Sequence, residues 1–440
     1  MILAHGAGAL SELPLPRWQF AWAIVAVVII TFFAVGTLWR RPVLAARAEG
    51  GWDLGRAAGV VARVVGPVLA VLGVVAYVVI VTAGLFGSEF PAANIAPIGV
   101  FVTFWVGVQV VSILVGDVWR ALSPFAALAL VGAWLRSRLR RDPLSSAEPP
   151  EGSTHWPAVA AVAAFVWLEL AYHAPTSPRI LGVAGLAYGV VVLAMAAWRG
   201  RGWLVRGEGF AALFGLLAAM APLHRDDSGR VRLRPPLAGL ARNSVLPGTL
   251  GLLFVVLGAA VFDGVSRTTF WLDLSADRVG WGLTAVDTLG LLWAVGIVAL
   301  VYLTAARLVA GVVGGDGEEV ADRCAGVLVP IAAAFTVAHH LSVLLLEGQG
   351  FWFLASDPYG EGWDLFGTAD GTVDFQLLSV GAIAWIQAVA IAVGHAGAVL
   401  VAHDRAIADH PGRQAVTAQY VLLALVVGSA TAAVGLLLGS

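Results

Sequence analysis

The sequence has no lysine and a single cysteine, Cys324, and only 12% of its 440 residues are charged. Soluble domains carry about 25% charged residues, so this chain cannot clothe a water-facing surface of its size. A soluble enzyme is excluded, and so are a disordered chain and a collagen-like repeat. One cysteine excludes an intramolecular disulfide and a thiolate metal cluster. Beside an apolar segment it reads as a small buried hydrophobe. The net charge is only −2, and no basic stripe with interleaved aromatics offers a nucleic-acid surface. Walker A loops, G-x-S-x-G elbows and dinucleotide fingerprints are absent too, so nothing points to an ATP-driven pump.

What the sequence has in quantity is apolar length. Hydrophobic residues make up 59% of it and the mean hydropathy is +0.87. A helix crossing about 30 Å of hydrocarbon needs about 20 such residues. Ten segments meet that template, at about 18–39, 66–87, 97–116, 157–173, 179–198, 245–265, 284–305, 324–346, 376–402 and 414–438. The expected fold is all-α, a polytopic transmembrane bundle forming one integral membrane domain over 1–440 with the lipid bilayer around it.

Arginine placement orients it. With the N-terminus outside, 22 arginines fall in cytoplasmic segments and four, Arg17, Arg179, Arg267 and Arg278, fall outside. That asymmetry follows the positive-inside rule. The basic cytoplasmic loops are 136–156, with Arg136, Arg138, Arg140 and Arg141, and 223–244, with Arg225, Arg230, Arg232 and Arg234. The even span count puts both termini outside. The first apolar run is of full spanning length and has no A-x-A-like cleavage site, so it reads as an uncleaved anchor in a plasma membrane.

Two apolar stretches, 123–135 and 209–222, are too short to span and are flanked by basic residues. Runs of about 10–14 residues lie at the interface or re-enter the membrane. Both contain FAAL, at 125–128 and 210–213, a weak internal repeat of the kind that halves of transporters show. Gly185 with Gly189, and Gly394 with Gly397, mark helix faces built for close approach.

Ionisable residues inside apolar spans are functional candidates by default, because a charge at the helix centre costs about 2.5–3.5 kcal/mol on insertion scales. Near the ends of a span the competing reading is snorkelling to the interface. The outer end of the eighth span holds His339, His340 and Glu347. His340 and Glu347 are seven apart, on one face but separated by about 10 Å along the axis. Adjacent histidines point about 100° apart, so at most one faces a given cavity. The fourth span adds Glu169, Tyr172 and His173 on one face. If the two helices pack together, His339, His340, Glu347, Glu169 and His173 form an outward-facing catalytic set. Among them His339, His340, His173 and Glu347 are of the type that binds one divalent transition metal. The spacing matches no metal motif such as H-E-x-x-H, and interhelical hydrogen bonding is the plainer alternative.

The outer loop 347–375 is acidic, with Asp357, Glu361, Asp364, Asp370 and Asp374. It reads either as a cation-attracting mouth or as a solvated loop. Asp263, Arg267, Asp273 and Asp287 near the outer ends of spans six and seven read as interfacial pairs. In the ninth span Gln387 and His395 suit an inner proton or ion path. Counted from 376, His395 lies about 28 Å from the outer end, too deep to share a site with His339 on an unbroken helix. His403, Asp404 and Arg405 read as an inner-interface ion-pair cluster.

Five strings, HGAGALSELPLPRWQFAW, FDGVSRTTFW, HHLSVLLLEGQGF, SDPYGEGWDLFGT and GHAGAVLVAHDRA, carry a resemblance that extends over nearly the whole chain. In them the sequence resembles a bacterial, largely actinobacterial, membrane-protein family whose members are labelled fenitrothion hydrolase. The resemblance implies a membrane-bound hydrolase of an organophosphorus triester and carries no residue roles. Two readings of function are therefore expected. One is a metal-assisted hydrolase of a hydrophobic ester at the outer polar site. The other is a transporter of a small hydrophobic or ionic solute, or of protons, through the same residues. A third, a redox subunit with a partner subunit, needs two histidines at matching depth, and only His173 pairs even roughly with His339 or His340.

Overall fold

The computed structural model describes residues 17–48, 50–140, 146–226, 228–241, 245–409 and 413–439. The first 16 residues, and with them most of the first resemblance string and the N-terminus, lie outside the described residues, as do Arg141, Arg242 and the last residue.

All ten expected apolar segments are helical. They form α1 (Arg17–Leu38), α3 (Gly55–Phe86), α4 (Ile95–Leu114), α6 (Trp156–Leu170), α7 (Pro178–Arg199), α9 (Thr249–Ser266), α10 (Trp281–Val313), α11 (Leu328–Leu346), α12 (Val380–Asp409) and α13 (Arg413–Gly439). Among the described residues, seven helical stretches are long and apolar enough to cross a membrane, α11 counting with the short helices on either side of it. The chain is thus a multi-pass helical membrane protein. Its outer surface agrees: Val60, Val64, Val68, Val71 and Val75 of α3 are all exposed, an apolar stripe that only lipid suits.

Between these lie α2 (Val43–Arg47), α5 (Pro124–Arg140) and α8 (Gly209–Ala218). The last two are the short FAAL segments, and they differ. On α5, Leu130, Val131, Trp134 and Leu135 are exposed, so it lies along the outside of the bundle. On α8, Phe210, Leu213, Phe214 and Leu217 are buried, because the half-length helix enters the bundle and packs on α4, α6 and α11. Its start is fixed by Glu208, which accepts from the backbone N–H of Phe210 and Ala211 at 2.9 and 2.8 Å and from Trp119 Nε1 at 2.9 Å. A buried carboxylate is tolerable here because every bond to it is made by a donor at a helix N-terminus or on a side chain. Both repeat phenylalanines, Phe125 and Phe210, meet Tyr188 edge-on, at 5.4 and 5.5 Å between ring centres.

The helices form two lobes. In one, α3 packs on α5 and α7, with α4, α6 and α8 beside them; in the other, α12 packs on α1, α11 and α13, and α10 on α9 and α13. Contacts of α9 with α6, and of α11 with α4 and α8, join the lobes. The most extensive seam is α11 on α12. A side chain at Gly394 would meet the Pro330 carbonyl oxygen at 2.7 Å and the Ala334 methyl, so only glycine lets the two backbones come this close.

Two features depart from the expected all-helical plan. Strands β1 (Trp52–Asp53), β2 (Leu223–Arg225) and β3 (Val231–Leu233) form an antiparallel sheet in the order β1-β3-β2, within the expected basic loop 223–244 and the turn before α3. Arg230 and Arg232 pair there with Asp226, and Arg230 also with Asp53. Also unforeseen, α4 is wound as a π-helix over Ile98–Gly107, a geometry that is rare and frequent near functional sites.

At the far end of α12, Asp404 does not form the ion-pair cluster expected with His403 and Arg405. It caps α2 instead, accepting from the backbone N–H of Val43, Leu44 and Ala45 and from Trp39 Nε1. His403 lies 2.8 Å from both the Trp39 carbonyl and Gln419 Oε1, tying α1 and α13 to α12.

Candidate functional site

The second lobe holds a partly open cavity of about 390 Å³ bounded by α9, α10, α11, α12 and α13. Most of its wall is aliphatic. Arg267, His339, His395 and Tyr302 are the ionisable groups in it.

Asp263 and Arg267 are four apart at the end of α9 and therefore share a face. Arg267 Nη2 donates to Asp263 Oδ1 at 2.6 Å. The second carboxylate oxygen, Oδ2, contacts His339 Nε2 from α11, and Arg267 Nη2 lies 3.1 Å from that same nitrogen. Phe335 lies flat on the His339 ring, 4.8 Å between centres and inclined by 13°. Asp263 is 8% exposed and His339 7%, so this three-residue cluster is shielded from water. Burying charges this way is tolerable only when each has a partner.

Of the five residues expected to form one catalytic set, the structure places His339 on the cavity wall. Glu169, half-buried at the end of α6, is not among the residues of that wall. His340 is turned away: its ring is inclined by 76° to that of His339, and His340 is not among the residues of the cavity wall. It shares a face with Thr336, which donates to Gln109 Oε1 of α4 at 3.1 Å, while His340 Nδ1 lies 3.3 Å from the Thr336 carbonyl. Glu347 begins the turn that follows α11 and is half-buried on that same face. His173 lies in the α6–α7 connection, where its Nδ1 is 3.0 Å from Thr284 Oγ1 and its ring packs on Tyr172 and Trp281.

A metal does not fit this arrangement. Among the described residues no group of three or more His, Cys, Asp or Glu side chains converges enough to hold one.

Asp263 and Arg267 were read as an interfacial pair and are indeed paired, yet their place in the cavity cluster was missed. The D-x-x-x-R spacing was the available signal, but nothing in the sequence couples it to His339, 72 residues on from Arg267. His395 corrects the expected depth. It lines the same cavity as His339 although α12 is unbroken over Val380–Asp409. The seam of Gly394 against Ala334 puts it only about five residues, or about 8 Å, from the level of His339. Gln387 is buried, with neither amide atom hydrogen-bonded, and stands outside the cavity wall.

The acidic outer loop is a folded structure whose carboxylates turn the backbone. Asp357 accepts from the N–H of Glu361 and Gly362, and Asp364 from Ser356 Oγ and the Ala369 N–H. These bonds, the one from Ala369 first, hold the Asp364 carboxyl below the usual range. Tyr359 fastens the loop to α3 through a 2.7 Å bond with Thr82.

No family model matches the chain, and neither does any curated protein or solved structure.

Proposed function

We propose that the chain is a ten-span protein of the bacterial plasma membrane, with both termini outside, that takes a small, largely apolar solute into the second-lobe cavity and carries it across the bilayer. The observation that supports this most is the Asp263–Arg267–His339 cluster on the wall of that cavity. Ionisable groups at such a place are costly and mark solute or ion paths. The half-length α8 suits a transporter, whose sites are commonly built from short or broken helices.

A second reading, hydrolysis of a hydrophobic organophosphorus-type ester, is favoured by the contact of Asp263 with His339. An imidazole held by a carboxylate can take the proton of an attacking water as general base, and the resemblance to the fenitrothion hydrolase family points the same way. No metal enters either reading.

One experiment separates them. Protein in proteoliposomes is tested for saturable exchange of a panel of labelled apolar solutes and, in parallel, for release of nitrophenol from a dialkyl nitrophenyl phosphate. The carrier reading expects exchange that His339→Ala abolishes and no nitrophenol. Nitrophenol release that His339→Ala abolishes, without exchange, replaces the carrier with the hydrolase.

A further inference from the structure

The polar groups on the cavity wall define what an occupant must carry. The cavity runs along α11 from Leu328 to His339, about 16 Å, and side chains such as Leu257, Val261, Val298 and Ile331 make most of that length aliphatic. Four of the five residues with polar side chains on this wall offer an occupant little. Tyr302, 2% exposed, donates to the Ala321 carbonyl at 2.8 Å, and Ser429 donates to the Val426 carbonyl at 2.9 Å, so both hydroxyl protons are spent. His339 Nε2 faces Asp263 and Arg267. His395 Nδ1 lies 2.8 Å from the Ile391 carbonyl, and its Nε2, though unbonded, is sealed inside the protein where no occupant reaches it.

Arg267 is different. Its Nη2 donates to Asp263 and lies beside His339, yet among the described residues its Nε and Nη1 have no hydrogen-bond partner. Neither nitrogen is sealed in, and the side chain is 21% exposed. Three N–H donors therefore stand open at the polar end of an apolar cavity. A guanidinium only donates, so its complement is an acceptor. Asp263 already balances the charge of Arg267, and a second carboxylate there would be a buried anion without a counter-charge, a costly state. A neutral carbonyl avoids that cost. Its oxygen offers two lone pairs, and it brings no proton that would need an acceptor of its own.

We propose that the second-lobe cavity selects neutral apolar carbonyl compounds, whose oxygen accepts from Arg267 Nε and Nη1 while the body lies along the aliphatic wall. The proposal rests on the solute-binding reading above and names the class of solute.

The test is equilibrium dialysis of the full chain in lipid nanodiscs, with empty nanodiscs subtracting partition into lipid. The probes are para-butylacetophenone, para-butylethylbenzene and para-butylbenzoate, which share one body and end in a ketone, a hydrocarbon or a carboxylate. Hydrogen bonding to a charged donor predicts that the ketone binds on the order of tenfold more tightly than the hydrocarbon, and more tightly than the benzoate. Asp263→Asn combined with Arg267→Met removes the donors without stranding a charge and brings the ketone-to-hydrocarbon ratio to about one. Ser429→Ala and Tyr302→Phe leave the ratio unchanged. Equal wild-type affinities for ketone and hydrocarbon overturn the carbonyl assignment while leaving solute binding intact. Benzoate binding more tightly than the ketone overturns it in favour of an anion site, and binding of none of the probes overturns solute binding as well. Should the double variant fail to fold, the wild-type order and the two hydroxyl variants still decide, since a preference lost in Ser429→Ala or Tyr302→Phe belongs to that hydroxyl and refutes the proposal.

Discussion

Replacing Asp263 by alanine removes the carboxylate that both Arg267 and His339 face. At 2.6 Å and an effective dielectric constant of about 20, the Asp263–Arg267 attraction is worth about 6 kcal/mol before desolvation is subtracted. The side chains are only 11% and 21% exposed, so solvent screens the pair little. What the mutant loses is dominated by the guanidinium left buried without a counter-charge, about 3–5 kcal/mol for such breaks. Adding Arg267→Ala removes that stranded charge, so the double variant is expected to recover at least half of the loss, a strong departure from additivity. Reversible unfolding in mixed micelles, followed by circular dichroism for the wild type, both single variants and the double variant, measures the cycle. A loss below about 1 kcal/mol in Asp263→Ala, the range of exposed pairs, or simple additivity in the cycle, refutes the view that the cluster is a buried, mutually dependent unit.

Three further expectations follow from the same structure. His155, which precedes α6 and lies 3.0 Å from Thr249 Oγ1, is pushed down to about 4 by burial, with the Arg206 charge adding to it. The unfolded chain therefore binds this proton near pH 6.5 and the folded one only near 4, so stability falls as pH drops across that window. His155→Gln should flatten that slope in unfolding curves taken between the two values, and an unchanged slope rejects the assignment. Asp364 has a depressed carboxyl, so its hold on the outer loop is fully present above about pH 4 and is lost as pH falls further; pulsed proteolysis by pepsin should cut the loop faster below that pH in the wild type and at a pH-independent rate relative to a loop-external site in Asp364→Ala. Cys324 is the sole native thiol, so in a Cys324→Ser background cysteines placed at Asp53 and Asp370 should react with an impermeant maleimide from opposite sides of the membrane, and labelling of both from one side rejects the proposed orientation.

The helices were legible because lipid imposes a simple rule, about 20 apolar residues per crossing, and seven helical stretches among the described residues meet it. The small sheet was not, since strands of two and three residues carry no periodicity and are held by pairing between Trp52–Asp53 and Val231–Leu233, far apart in the chain. The site was half legible. His339 stood out as an imidazole in an apolar span, and of the neighbouring pair His339 and His340 it is His339 that lines the cavity. Its partners did not stand out, because Asp263 and Arg267 satisfy each other locally and look like an interfacial pair until α9 and α11 are placed side by side. His395 was set too deep because its span was counted from 376, whereas α12 begins at Val380 and the Gly394 seam raises it beside Ala334. Asp404 misled for another reason: neighbouring charges in sequence suggested pairing, but backbone N–H groups of α2 are the stronger claim on a buried carboxylate.

The account rests on the second-lobe cavity being the place where solute is held. Gly428 lines that cavity, and a side chain there meets no atom within 4 Å, so Gly428→Phe fills the space without disturbing the helix that carries it. Solute exchange measured in proteoliposomes of Gly428→Phe beside the wild type tests the claim directly. Loss of exchange in a variant that unfolds at the wild-type denaturant concentration is the predicted result; exchange at the wild-type rate with the cavity filled would contradict it.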